Sequence, residues 1–252
     1  MKGTKILDRY RDITQLAGYQ TYKGLRIHAL PGLHEFIETK FSSIATPPAS
    51  VLELGAGSGA LSFRCLERGF QVVAVDLVPE NFQLHDLIEF VECDLNDDFS
   101  TRIARRFDVI LAIEIVEHLE NPRHFLREVR LLLKSPGFVL LTTPNIENPL
   151  SKAMFVRDGL FQWFTDRNYR SEGHITPISR WYLNKALNEA DLHLIEITSY
   201  GNVLNSIRGW WRMKLLAWLI KKLSHHECNG EILCIIASTK EADCIEIAKT
   251  LG

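Results

Sequence analysis

A doubly wound α/β fold on a seven-stranded sheet, with an insertion on its substrate side, is predicted by three observations. Short apolar runs alternate with helix-patterned stretches from residue 51 onward. The first run opens into a glycine turn that leads directly into a helix. An acidic residue, Asp76, closes the second run. Apolar strands separated by helices are buried on both faces, which calls for a parallel sheet covered on each side.

Residues 1–50 are mixed, with helical spacing at Leu33, Phe36, Ile37 and Phe41. They end at Pro47-Pro48, which stops a helix and starts extended chain. Val51–Leu54 is the first strand, and a helix follows the glycine turn to about Gly69. Gln71–Val75 is the second strand, Leu87–Val91 the third, ending near Asp94, and Phe107–Ala112 the fourth. A helix runs from about Pro122 to Leu133, since proline is favoured in a first helical turn. Gly137–Thr143 is the fifth strand, stopped by Pro144. Residues 145–178 break the rhythm, with Phe155, Phe161, Trp163, Phe164 and Tyr169 among mixed charges. They follow the carboxyl end of a strand, where open α/β sheets bind ligands. A substrate-side insertion is the expectation; a surface excursion with its own small core is the plainer reading. Ser179–Ala190 is helical, Leu192–Tyr200 alternates like a strand, and Glu231–Thr239 is the last strand. The expected organisation is one domain over 1–252. It comprises an N-terminal helical segment (1–50), a cofactor-binding half (51–144), the insertion (145–178) and the C-terminal half of the sheet (179–252).

Composition limits the function. At 252 residues, 46% hydrophobic and 24% charged, the chain has the balance of a soluble globular protein, which excludes disordered and collagen-like classes. A net charge of −2 argues against a bulk nucleic-acid binder. No apolar run approaches the ~18 residues of a membrane span. The opening Met1–Tyr10 has no apolar signal-peptide core. Cys65, Cys93, Cys228, Cys234 and Cys244 form no Cys-x-x-Cys pair and read as free thiols. The expected location is therefore the cytoplasm, and a cysteine-based zinc site is not expected.

The turn Glu53-Leu-Gly-Ala-Gly-Ser-Gly59 carries the chemistry. Its glycines let the backbone approach a ligand closely, and the helix amino terminus behind them favours electron-rich groups. Asp76, 21 residues after Gly55, is placed to accept hydrogen bonds from both ribose hydroxyls. A nucleoside-bearing cofactor is the expectation. Gly55-x-Gly57-x-x-Ala60 also satisfies the dinucleotide fingerprint, so an NAD-dependent oxidoreductase is an alternative. Some 50 residues precede the first strand, which leans away from that alternative.

Glu114-Ile-Val-Glu-His118 follows the fourth strand. As a helix it would place Glu114, Glu117 and His118 on one face. Clustered carboxylates repel unless something positive lies between them, and a solvated helix start is the plain alternative. His174 lies in Ser171-Glu-Gly-His-Ile-Thr-Pro-Ile178. A histidine near neutral pH is suited to take a proton from an acceptor hydroxyl. A divalent metal held by Glu114, Glu117, His118 and His174 is the second mechanism. The other histidines show no grouping, although His34 could approach the cofactor from the N-terminal segment.

Val51–Ser62 resembles the first motif of class I S-adenosylmethionine-dependent methyltransferases. Val73-Ala-Val-Asp-Leu77 resembles their second-strand motif, and Phe107–Leu119, Leu131–Gly137 and Leu141–Asn145 resemble the later ones. The likeness is strong over roughly 50–145 and loose over 170–240. It implies a Rossmann-like fold and S-adenosyl-L-methionine as cofactor. Carried across, Glu53 and Gly55 would face the methionyl end, and Gly57 and Gly59 would shape the turn. Asp76, followed by Leu77, would hold the ribose, Asp94 with Leu95 would meet the adenine, and Ile113 would contribute backbone. Ser135-Pro136-Gly137 departs from the usual Pro-Gly-Gly, which touches only a turn. Glu-x-x-Glu-His with a later histidine is similar to both ubiquinone-biosynthesis O-methyltransferases and metal-dependent small-RNA 2′-O-methyltransferases. His118 and His174 are accordingly the expected catalytic pair. The expected acceptor is a small molecule, quinone-like, lipid-linked or sugar, with RNA 2′-O-methylation as the alternative.

Residues 203–226 hold Arg208, Arg212, Lys214, Lys221, Lys222 and three tryptophans (Trp210, Trp211, Trp218) and no acid. Peripheral membrane contact through 208–223 is one expectation. A helix packed on the sheet or on a second subunit, its lysine stems lying along apolar surface, is the plainer one. Nucleic acid is not the expected partner.

Overall fold

The computed structural model describes residues 20–203, 211–224 and 228–240. Seven strands form the central sheet: β3 (Ser50–Leu54), β4 (Gln71–Asp76), β5 (Glu89–Glu92), β6 (Phe107–Ile113), β7 (Leu133–Pro144), β8 (His193–Tyr200) and β9 (Ile232–Ser238). Their order is β5-β4-β3-β6-β7-β9-β8. The first five run parallel, while β9 pairs antiparallel with both β7 and β8. The parallel sheet expected from strands alternating with helices is found in those first five. The 232–238 run is apolar on both faces, and burial on two faces leaves no periodic mark of strand direction.

Helices cover both faces: α1 (Leu33–Ile44), α2 (Ala60–Glu67), α3 (Phe99–Ile103), α4 (Pro122–Leu132) and α7 (Arg180–Glu189). Two apolar clusters result. One packs α4 and α7 on the sheet through Phe125, Leu126, Val129, Leu183 and Leu187. The other packs α1 and α2 through Leu33, Ile37, Phe41, Leu61 and Cys65. Pro122 sits in the first turn of α4, and the Asn121 side chain accepts from His124 N–H, so that boundary follows the local signals.

Three elements differ from expectation. A short hairpin of β1 (Gln20–Tyr22) and β2 (Leu25–Ile27) precedes α1; its three-residue strands are too brief to show alternation. The chain after β6 is no α-helix. Glu114 takes a left-handed φ of 55° and only Val116–His118 form a 3₁₀ turn, so the one-face argument for 114, 117 and 118 fails. Residues 145–178 fold as α5 (Pro149–Asp158) and α6 (Asp166–Ser171). Helix α8 (Trp211–Leu223) packs on α5 rather than on the sheet, through a third small cluster of Leu150, Ala153, Val203, Met213 and Ala217. Of the basic segment 203–226, residues 204–210 and 225–226 lie outside the described residues, as does Cys244. The other four cysteines are free. No described helix is long and apolar enough to cross a membrane.

Candidate active site

Strand order alone determines where a ligand fits. The parallel strands are laid down outward in opposite directions from the β3–β6 pair, so the loops leaving their carboxyl ends part to opposite sides and open a crevice there. A cavity of about 880 Å³ opens there, within the roughly 300–1,000 Å³ of small-molecule and cofactor sites. Its floor follows the strand order β6, β3, β4, β5 through Ile113, Gly55 and Gly57, Asp76 and Leu77, then Asp94 and Leu95. Four adjacent strands at about 4.8 Å spacing give a trough of about 14 Å, suited to an extended nucleoside with an amino-acid tail.

The glycine turn is built for close approach. Gly55 and Ala56 N–H both donate to Val75 O, at 2.8 and 2.9 Å, which folds the turn over β4. Gly57 has a φ of 54°, and a side chain there would project into open space. That space is the cradle a ligand needs. Asp76 Oδ2 accepts from Gly57 N–H at 2.7 Å and Oδ1 from Val78 N–H at 2.9 Å, so its carboxylate is held in one orientation at the cavity wall. Burial raises its pKa, against the pull of those N–H groups. Asp94 Oδ1 is fixed by the Asn96 backbone and side-chain N–H groups at 2.9 and 3.0 Å. These residues fit S-adenosylmethionine: an open glycine cradle, an oriented carboxylate at the end of β4, and a second acid one strand further.

Two expected cofactor residues stand apart from the cavity wall. Gly59 caps α2 with a φ of 89°, and a Cβ on it would lie 2.8 Å from Phe82 and 2.9 Å from Leu84. Its glycine requirement comes from packing. Glu53 lies in a small recess of about 50 Å³ behind the turn, with His34 and Arg26. It is buried, accepts from Ser62 Oγ, and burial pushes its pKa to about 8. His34 is likewise buried and pushed down to about 4.

Arg26 was missed by sequence reasoning. It stands in β2 between buried Leu25 and Ile27 and reaches both the recess and the cavity. Its carbonyl accepts from Ser58 Oγ at 2.7 Å, tying the hairpin to the glycine turn, while Nη1 is buried without a hydrogen-bond partner. The only signal was a lone arginine alternating with apolar residues in a segment too short to read.

At the opposite end of the trough, tertiary structure joins what sequence separates. His118 and His174 meet edge to face with ring centroids 4.9 Å apart. Ile175 and Thr176 N–H donate to Glu117 O at 3.2 and 3.0 Å, which seats the 172–176 segment on the 3₁₀ turn. Both histidines line the cavity with Glu114, Glu172 and Trp163. His174 Nδ1 lies 2.9 Å from Trp163 O; a carbonyl only accepts, so Nδ1 carries the proton and Nε2 keeps its lone pair. Burial lowers the His174 pKa below 6.5, and burial with the neighbouring His174 lowers His118 to about 3. Both rings are neutral at pH 7.

The acids behave differently from one another. Glu114 turns to Thr142, whose Oγ1 donates to Oε1 at 2.8 Å, and burial raises it to about 7. Glu117 is fully buried; burial and the charge of Glu114 push it well above 4.5, against the pull of the Thr143 hydroxyl and of its own backbone. Neither is the solvated helix start of the plain alternative. One ligand atom each from Glu117, His118 and His174 lie within 4.8 Å of one another. Two imidazoles with one carboxylate suit Fe²⁺, Mn²⁺ or Zn²⁺ better than Mg²⁺. Glu114 is not part of that group, so the four-ligand set reduces to three.

Comparison with known proteins agrees with this geometry. A ubiquinone biosynthesis O-methyltransferase from Azorhizobium caulinodans is 28% identical over 191 residues, covering 71% of this chain and 74% of that protein. One from Xanthomonas campestris pv. campestris is 35% identical over 109 residues, and the chain spans about half of it, 46%. A SAM-dependent methyltransferase from Archaeoglobus fulgidus superposes with a TM-score of 0.58 at 17% identity, covering 81% of this chain and 94% of that one. The 1,6-didemethyltoxoflavin-N1-methyltransferase of Burkholderia thailandensis does so with 0.56 at 18% identity, covering 94% and 87%. At such identities these structures speak for the fold. The family model described as a methyltransferase domain matches residues 26–197, from the arginine strand through the glycine turn and the histidine pair into β8. The chain belongs to that family and is an S-adenosylmethionine-dependent methyltransferase.

Proposed function

We propose that this methyltransferase acts on an oxygen of a small acceptor, a quinone-like or catechol-like ring carried on a lipid tail, with His174 as general base. The observation that carries the reading is the His174 tautomer: Nδ1–H is committed to Trp163 O, leaving a neutral Nε2 on the wall of the cavity. When bound, S-adenosylmethionine supplies the activated methyl group. Asp76 holds the ribose, Asp94 and Leu95 the adenine, and Ile113 lends backbone. Glu53 and Arg26 are the partners of the methionyl ammonium and carboxylate. His174 Nε2 takes the hydroxyl proton of the acceptor, burial keeps the ring neutral beforehand, and His118, packed against it, holds it in place. Most of the acceleration comes from positioning. The related ubiquinone biosynthesis O-methyltransferases favour the ring acceptor. Work in the cytoplasm, in contact with the membrane that a lipid-tailed acceptor occupies, belongs to the same proposal.

The test is methyl transfer to a prenylated catechol, with the product's methylated atom located by NMR. Turnover on oxygen is expected; transfer to nitrogen or carbon acceptors alone would refute the reading.

Glu53 gives a pH signature. Unbound, its carboxyl stays protonated up to about 8. The methionyl ammonium favours the ionised form, so binding below that pH releases a proton. Affinity for S-adenosylhomocysteine should rise as pH increases from 6 towards 8, and Glu53→Gln should flatten that slope. The sign for stability is opposite. The unfolded carboxyl ionises near 4.5 and the folded one near 8, so the unliganded protein loses stability as pH rises through that window.

One observation favours a second mechanism. The fully buried Glu117 carboxyl has Oε1 4.0 Å from His118 Nε2, and a divalent cation shared with His118 and His174 would offset the cost of burying it. Under the general-base reading Glu117 is protonated. Glu117→Gln should then keep turnover within about threefold, and EDTA should not shift the Tm. Loss of activity in Glu117→Gln, together with a Tm raised by Zn²⁺ or Mn²⁺ only in the wild type, would establish the metal.

A further inference from the structure

Helix α8 has two apolar faces, and the fold uses one. Met213 and Ala217 are buried against Leu150 and Ala153 of α5, with Leu216 and Ile220 beside them. On the far side, Trp211, Leu215, Trp218, Leu219 and Leu223 recur at i, i+4, i+7, i+8 and i+12, the stripe of an amphipathic helix. They are 67, 50, 51, 44 and 78% exposed. Five large apolar side chains on one exposed helix face form a surface that soluble proteins rarely leave unpartnered.

Charge identifies the occupant. Arg212, Lys214, Lys221 and Lys222 are exposed on the same helix, and no acid occurs between 203 and 226. Arg212 lies over the Trp211 ring at 5.3 Å and Lys222 over Trp218 at 5.8 Å. A second copy of this face would meet it with like charges, which disfavours self-association. An anionic surface with an apolar interior satisfies every feature. Tryptophan rings sit at the headgroup level, leucines enter the acyl boundary, and lysine and arginine heads reach the phosphates. At 13 residues and about 1.5 Å per residue, α8 is about 20 Å long, enough to lie in an interface and too short to cross one. On α5, Phe155 and Val156 are 49 and 72% exposed, and Leu160 just beyond its end is 45% exposed, so the two-helix unit that carries the stripe offers further apolar surface.

We infer that the outer face of α8 is a docking surface for anionic phospholipid bilayers, with α5 as its rigid support. The inference deepens the membrane contact proposed above but does not depend on which acceptor is methylated.

The test is co-sedimentation of the full chain with vesicles of phosphatidylcholine alone or with one quarter phosphatidylglycerol. Binding to the anionic vesicles alone, weakening with salt, is expected. At about 1 kcal/mol, or fivefold, per surface cation, Lys214→Gln/Lys221→Gln/Lys222→Gln should weaken it by roughly 100-fold. Trp211→Ala/Trp218→Ala should weaken it as well, while binding of S-adenosylhomocysteine, read by calorimetry, stays unchanged and reports that both variants fold. Equal pelleting of wild type and variants, or none above the phosphatidylcholine level, overturns the proposal. So does a dimer in analytical ultracentrifugation that Trp211→Ala/Trp218→Ala dissociates, because the face is then occupied by a second copy. Failure of methyl transfer with intact vesicle binding would refute the acceptor reading alone.

Discussion

His174→Ala should lower kcat on a phenolic acceptor by about 10²–10⁴-fold, the range lost with a positioned general base. Binding of S-adenosylhomocysteine should stay within about twofold, because His174 stands at the acceptor end of the trough, away from Asp76 and Asp94. The Trp163 carbonyl locks the tautomer, the ring is buried against His118 and Phe164, and Nε2 is left with an unshared pair on a cavity wall. Burial holds the pKa below 6.5, so the ring is in its proton-accepting form at neutral pH. In the wild type, kcat/KM should fall as pH drops through the His174 pKa, and that acid limb should vanish in His174→Ala. Full turnover in the alanine variant, or an acid limb that persists unchanged, would remove His174 from the base role and leave the Glu117 metal reading as the better account.

Asp76→Ala should weaken S-adenosylhomocysteine binding by roughly 1–3 kcal/mol, or 5- to 150-fold, since two ribose hydroxyls lose a charged acceptor. The effect belongs to binding rather than folding only in part, because the carboxylate also accepts from Gly57 and Val78 N–H and so holds the glycine turn open. Asp76→Asn separates the two contributions. It keeps one oxygen for the turn and removes the charge, so it should retain the wild-type Tm more closely than Asp76→Ala while still weakening the cofactor. Calorimetry and thermal melts of the pair decide it. Unchanged affinity in a folded Asp76→Ala would place the ribose elsewhere.

Much of this was legible in the chain because it is written locally. A strand of apolar residues, a turn that needs positive φ at Gly55, Gly57 and Gly59, and a proline and asparagine at the start of α4 each act over a few residues. Periodicity and turn chemistry therefore located β3, β4, β6 and α4 to within a residue or two, and with them the residues that line the cavity at the strands' carboxyl ends. The β1–β2 hairpin was not legible, since three-residue strands carry no period, and Arg26 was lost with it. The Glu114–His118 stretch misled for a related reason. Its spacing fits a helix, yet Glu114 turns left-handed so that its N–H and carboxyl can both reach Thr142 on the neighbouring strand, a partner 28 residues away.

By itself, then, the sequence determined the fold class, the position of the glycine turn and its acids, and a nucleoside-bearing cofactor, because each is written in local pattern; S-adenosylmethionine rather than a dinucleotide came from the resemblance of several such motifs to the methyltransferase family. Only the tertiary structure decided which way β9 runs, that Gly59 serves packing while Glu53 sits in a recess, and that ligand atoms of Glu117, His118 and His174 come together while Glu114 turns to Thr142. Those outcomes depend on contacts between residues tens of positions apart. There the protonation and the partner of a buried group are set by what the sheet brings against it, and no local pattern records that.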